Sequence, residues 1–212
     1  MATASQSLFN MTVASDNAGG NQGLLMPKLQ FRFRVNFLNF GVDAVNGLQL
    51  TKQVIDCGRP NVSFGEILIP IYNSTIKLIG KHTWEPINIS VRDDASGTVS
   101  KAVGQQLQKQ FDFVEQASAA TGQDYKFQTN IEVLDGGNGA AAPIVLETWE
   151  LYGCFIKSAN YDNLSYSGTD VVKITLGLTY DNAVQSPLSS GVGTSVGRAF
   201  GGASATGLGG AT

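Results

Sequence analysis

Apolar and polar residues alternate with a period of two through most of this chain. Phe31, Phe33, Val35 and Phe37 fall on one side of an extended segment, and Gln30, Arg32, Arg34 and Asn36 on the other. Successive strand side chains point to opposite faces, so this is a strand with one buried face. Leu48 to Cys57 follows the same rule, with Gln49, Thr51 and Gln53 on its polar side. Ile67, Ile69 and Ile71 surround Pro70. A proline has no N–H to give a ladder, so an edge, a bulge or a protruding loop is expected there. Asn73–Ser74 is the expected turn and Thr75 to Gly80 the returning arm, which makes one long hairpin over Glu66 to Gly80. Trp84 to Arg92 alternates again, setting Ile87, Ile89 and Val91 against Asn88, Ser90 and Arg92.

The period then changes. From Thr98 to Ala117, Val99, Val103, Leu107, Phe111 and Val114 recur at three-to-four spacing, which predicts an amphipathic helix. Lys101, Gln105, Gln108 and Asp112 occupy its outer face, Ser96 is placed to cap it and Gly122 to end it. Phe127, Thr129, Ile131 and Val133 resume the strand rhythm. After a Gly/Ala loop, two further strands are predicted over Val145 to Lys157 and Val171 to Tyr180. Seven or eight strands around one helix predict a mainly β fold, an antiparallel sandwich or small barrel with the helix packed outside. This domain spans 26–184. Residues 1–25 read as a flexible polar arm and 185–212 as a Gly/Ser/Ala-rich extension.

Composition adds a constraint on the surface. Only 15% of the 212 residues are charged, against about 25% in an ordinary soluble domain, which suggests a surface covered in part by other copies. A net charge of −3 gives no basic footprint for nucleic acid or for anionic membrane. No apolar run approaches the ~20 residues that span a bilayer, and Met1 to Gly20 lacks a signal-peptide pattern, so a protein made in and soluble in a cytoplasm is expected.

The inventory of reactive side chains is short. A single histidine, His82, removes multi-His metal sites, and Cys57 and Cys154 are too few for a disulfide framework or a CxxC site. Nothing near His82 builds a triad, and no phosphate-cradling GxxxxGK[ST] exists. Asp93–Asp94 stands directly before the predicted helix, where orphan N–H groups favour carboxylates, so helix capping is its expected job. No catalytic residue, metal or cofactor is expected.

The order of these stretches resembles the tail tube protein of contractile-tailed bacteriophages, a family related to the inner tube proteins of type VI secretion systems. The stretches are MPKLQFRFRVNF at Met26 to Phe37, then Gly58-Arg59-Pro60, then Glu66 to Pro70 with its hairpin, then the Lys77 to Gly80 strand before HTWEPINISVRDD. QKQFDFVEQ, ETWELYGCF and a closing VVKITLGLTYDN complete the series, which covers residues 26 to 182. The chain departs from that family in its long terminal segments and at Cys154, where a Trp-Pro pair commonly follows the glycine.

The resemblance implies a hexameric ring of barrel-like subunits, stacked into a hollow conduit for DNA inside a contractile sheath. The partners it implies are the protein itself, a tail sheath protein, baseplate and tail terminator proteins, and DNA only as a passenger, with no membrane. The implied location is the virion, after synthesis in a host bacterium; a type VI or other contractile injection tube is the alternative. Within that frame Ile67, Ile69, Ile71 and Tyr72 are the expected ring-stacking contacts. Gln49, Thr51, Gln53 and Asn88 are the expected lumen-facing residues, leaving few cations to hold a polyanion.

Overall fold

The computed structural model describes residues 28–42, 50–135, 143–186 and 191–193. Most of the two expected terminal arms therefore lies outside the described residues. The strands are β1 (Phe33–Leu38), β2 (Val54–Cys57), β3 (Val62–Ile71), β4 (Ser74–Trp84), β5 (Ile87–Arg92), β6 (Phe111–Asp112), β7 (Ala117–Ser118), β8 (Phe127–Leu134), β9 (Val145–Tyr161), β10 (Lys173–Thr179) and β11 (Asn182–Ser186). Two helices, α1 (Thr98–Gln110) and α2 (Gly122–Tyr125), stand between β5 and β8. Seven strands form one antiparallel sheet in the order β1-β8-β9-β10-β5-β2, with β11 also paired to β9. The mainly β, antiparallel class expected from the alternation is what the chain adopts.

The 17-residue β9 organises this sheet. Its first part pairs β8 on one side and β11 on the other, and its last part, from Phe155 onward, pairs β10. The handover falls at Gly153, where φ is +66° and an added Cβ would lie 2.8 Å from Asp181 Cγ. Only glycine fits both constraints. The irregularity also flips the face that points inward: Glu147, Trp149 and Leu151 are buried before it, Cys154 and Ile156 after it. One extra residue moves every later side chain to the other face, so a sheet that turns here keeps its apolar side on one core.

That core gathers Val35 and Phe37 from β1, Phe127 and Ile131 from β8, and Ile174, Leu176 and Leu178 from β10, with Ile87, Ile89 and Val91 from β5. Phe37, Phe40 and Phe127 form an aromatic trio, with Phe40 edge-on to Phe127 at 4.9 Å. The curl of the sheet brings its two end strands together, with Cα atoms of β1 and β2 within 8 Å, although the two are not ladder neighbours.

Several local expectations are corrected. Residues 50–52 are helical and the strand begins only at Val54, so the apparent alternation from Leu48 is not a strand pattern there. Helix α1 stops at Gln110 rather than Ala117. Asp112 Oδ1 accepts the N–H groups of Val114 (2.8 Å) and Glu115 (3.2 Å), a side-chain turn that competes with the helix ladder and folds β6 onto β7. Val114 is consequently 89% exposed rather than packed inward, and Phe111 belongs to β6. Gly122 opens α2 instead of closing α1, and Thr121 with Asp124 forms its capping box.

Of the acidic pair only Asp94 takes a helix N–H, that of Val99, and the N-cap residue is Gly97 rather than Ser96. Asp94 accepts the Ser96 and Thr98 hydroxyls and the Val99 N–H, and these bonds hold its carboxyl down at about 2. Asp93 accepts the Ser100 hydroxyl at 2.7 Å.

The inward face of α1 holds Val99, Ala102 and Val103, with Leu107 packed against the core and Lys101 and Gln108 exposed. It also buries Gln106, which the helical pattern did not single out. Gln106 Oε1 accepts the Gly41 N–H (2.9 Å) and its Nε2 donates to the Tyr125 carbonyl (2.7 Å). Replacing Gln106 with Leu leaves both backbone groups unpaired, so a loss of about 2–3 kcal/mol in a denaturant titration is expected.

Candidate assembly surface

Strands β3 and β4 leave the body as a two-stranded sheet of their own. They start from a fixed base. Glu85 N–H donates to the Asn61 carbonyl (3.0 Å), Trp84 packs on Tyr180 at 5.8 Å, and the Tyr180 hydroxyl donates to the Glu85 carbonyl (3.0 Å). The arm twists at an irregularity between Phe64 and Glu66, where Gly80 comes so close to Gly65 that a Cβ on Gly80 would sit 2.9 Å from the Gly65 oxygen. Its turn is Tyr72–Asn73, one residue earlier than expected: Ile71 pairs with Ser74, and Tyr72 has φ +33°. Pro70 lies within β3, in a ladder that has no third strand.

Register separates the arm into two faces. Ile67 lies opposite Leu78 and Ile69 opposite Ile76, so these four and Ile71 share one aliphatic side. The other side carries Glu66, Leu68, Pro70, Thr75, Lys77 and Ile79, with a Lys77–Glu66 ion pair at 3.2 Å. Lys77 thus has its carboxylate within its own arm. All of Val62 to Ile79 is exposed: Ile67 is 52% exposed, Ile69 42%, and Tyr72 fully so at the tip. The four residues expected to make contacts therefore stand uncovered by their own body.

The residues expected to face a lumen are placed differently from one another. Gln49 lies outside the described residues. Thr51 is in the helical turn and Gln53 at its exit, so neither shares a strand alternation with Asn88. Asn88 is exposed on β5, and the register sets it, Ser90 and Arg92 beside Gly177, Thr175 and Lys173 of β10, and those beside Ser158 and Asn160 of β9. The outer side of this half of the sheet is polar, its small side chains bridged by Ser90 and Thr175 hydroxyls 3.4 Å apart, with the exposed cations Arg92 and Lys173 at one end. Gln53 meets its end through its carbonyl, which accepts the Arg92 N–H at 2.8 Å. Sequence reasoning put Asn88 on the polar face of its strand but could not supply β10 as its neighbour, because that pairing joins segments more than 80 residues apart.

The reactive residues do not converge. His82 lies on the arm, edge-on to Trp84. Cys57 and Cys154 are free thiols, pushed by burial up to about 12 and about 11, the side opposite to a reactive thiolate. No group of three metal-ligating side chains occurs among the described residues, and no helix there is long and apolar enough to cross a membrane.

No family model and no curated protein matches the chain. Solved structures do. The cap that terminates the tube of the anti-feeding prophage matches with a TM-score of 0.56 at 12% identity, over 82% of this chain and 99% of that one. The sheath/tube terminator of the PVC extracellular contractile injection system matches with a TM-score of 0.54 at 14% identity, over 77% and 99%. A chain of the PVC sheath–tube complex in the extended state follows at 0.51 and 14%, over 78% and 95%. The chain shares its fold with these components of contractile systems. In it the long β9 and the curled sheet form the body, and the β3–β4 arm is its uncovered projection.

Proposed function

We propose that the protein is a structural tube subunit whose hexameric rings stack into a hollow conduit for DNA inside a contractile sheath. The observation that carries this is the aliphatic face of the arm. Ile67, Ile69, Ile71, Ile76 and Leu78 stand half-exposed on a ribbon that the body does not cover, and a patch of that kind marks an interaction site. Together with Tyr72 at the tip, they make the ring-stacking contact. The scarcity of charge fits a subunit covered on several sides, and the unpaired strand edges fit a closed assembly that removes them. A sheath protein, a baseplate and a terminator are the further partners, and the virion is the site of action.

The surface around Asn88 faces the lumen, with Thr51 and Gln53 at its end. Its small hydroxyl and amide groups give a polyanion little hold, because phosphate affinity comes mainly from Lys and Arg, and here these are confined to Arg92 and Lys173 at one end of the surface. Lysines at Asn88 and Thr175 are expected to leave assembly intact while slowing DNA ejection, most strongly at low salt. An ejection rate unchanged at every salt concentration removes this wall from the lumen.

A second reading, the inner tube of a type VI or other contractile injection system, is favoured by the injection-system parts among the structural matches. Negative-stain microscopy of the purified protein tests both readings through six-fold rings or tubes. The passenger, DNA or protein, separates them.

A further inference from the structure

The seam between β1 and β2 carries an excess of positive charge. Both are end strands of the sheet, and two adjoining cavities of about 490 and 320 Å³ open along them, sharing Gln30, Phe33 and Asp56. Five of the chain's 14 lysines and arginines line these cavities, against one lining carboxylate, Asp56. Lys28 is matched by Glu147 and Arg34 by Glu132. Arg32 donates to the Asp135 carbonyl, and Arg59 and Arg92 form no ion pair among the described residues. The seam is thus left with three cations beside one carboxylate, and Phe31, 74% exposed, stands among them.

The β6–β7 hairpin has the opposite character. Phe111 to Ser118 contains Asp112 and Glu115 and no cation, and Phe113 and Val114 at its turn are 61% and 89% exposed. The hairpin is fixed from within by the Asp112 bonds and from below by Gln110, which donates to the Ile156 carbonyl (2.9 Å) and accepts the Ile156 N–H (2.8 Å). Lys109, the nearest cation in sequence, is held by the Gly41 carbonyl at 3.0 Å. A turn already ordered before contact loses little entropy on binding. Ile156 lies on β9, near the middle of the sheet, and the two ends of that sheet meet at the seam. Hairpin and seam therefore stand on opposite sides of the body.

From this charge complementarity across the body we infer that the β1–β2 seam of one copy receives the β6–β7 hairpin of the next, side by side within a ring. The inference rests on the tube reading and names a lateral contact separate from the arm. The occupant is a copy of this chain because one chain carries both halves of the match. A foreign acidic partner accounts for the seam alone and leaves the Phe113–Val114 turn bare. Two complementary patches on opposite sides of one chain make a head-to-tail contact, which closes into a ring when the rotation allows. In that contact Phe113 supplies area, and the carboxylates against Arg59 and Arg92 set its orientation.

Charge reversal tests the contact on the full chain. Glu115→Arg in the hairpin and Arg59→Glu in the seam both fall at exposed positions, and a thermal melt checks that each variant folds. Each alone brings like charges together and is expected to weaken ring formation about tenfold by sedimentation. The two together in one chain restore opposite charges and are expected to recover most of that loss, which a merely structural role for either residue does not allow. Wild-type assembly by either single variant, or a double variant no better than the singles, overturns the proposal. Should a reversal fail to fold, Arg59→Lys decides, because zero-length carbodiimide coupling then joins a carboxylate to the introduced amine. A link from Asp112 or Glu115 of one copy to position 59 of another is expected in assembled rings. Rings without that link overturn the seam contact while leaving the tube reading intact. No association by wild type under any condition overturns both.

Discussion

Ile69→Asp/Ile71→Asp is expected to yield a folded protein that fails to stack into tubes. Both side chains are more than 40% exposed on a ribbon outside the seven-stranded sheet, and neither belongs to the core cluster, so the body loses little when they become polar. The interface loses much more. Burying an isoleucine fully yields about 1.5–3 kcal/mol, and a carboxylate sealed against apolar surface adds a penalty of its own. Even about 4 kcal/mol per contact lowers the association constant a thousandfold. Sedimentation together with a thermal melt separates the outcomes: a protein with an unchanged melting temperature that forms no tubes supports the assignment, and normal tubes refute it.

Glu147→Ala is expected to cost about 3 kcal/mol of stability, about 8 °C in melting temperature for a chain of this size. Glu147 is only 3% exposed and joins three parts of the chain. It accepts the Lys28 ammonium from the entry to β1, the Trp149 indole N–H (2.8 Å) and the Gln185 amide of β11 (2.6 Å). Lys28 retains access to water, so the loss comes mainly from the stranded indole and amide donors. Glu147→Gln keeps one strong acceptor and is expected to cost about half as much.

The same cluster predicts a pH dependence. Burial alone would raise the Glu147 pKa, but the bonds from Lys28, Gln185 and Trp149 and the Lys28 charge outweigh it and hold the carboxyl below its ordinary value of 4.5. A lowered folded-state pKa means stability that is complete above 4.5 and lost as pH falls through the folded value. Acid unfolding curves of Glu147→Ala and wild type are therefore expected to converge at low pH.

How far the sequence reached can be read from single residues. Where one face of a strand meets the core and the other meets water, alternation is a direct image of the fold. Ile87, Ile89 and Val91 are buried as the pattern requires, and so are Val35, Phe37, Ile174, Leu176 and Leu178. Pro70 marked the arm because it could not sit in a central ladder, and the uninterrupted exposure of Val62 to Ile79 agrees with that reason. The failures share a cause. Residues 50–52 fall within the stretch read as a strand yet are helical, and Val114 keeps helical spacing yet stands in a turn made by the Asp112 side chain. A short window cannot distinguish periods when a local hydrogen bond or a tertiary contact overrides them.

What the sequence determined by itself is thus the mainly β class, the core faces of its regular strands, the bond of Asp94 to the first turn of α1 and the projecting arm, because each follows from neighbours within a few residues. What only the tertiary structure decided depends on segments far apart in the chain. Gly153 turns the burial pattern of β9 over as the strand passes from β11 to β10, and Glu147 ties Lys28 to Gln185. β1 and β2 meet across a groove, and Asn88 joins a polar surface shared by β5, β10 and β9. Strand order and long-range pairing carry no local periodicity. They are set by which packing buries the apolar faces together, and that is settled only when the whole chain has closed around its core.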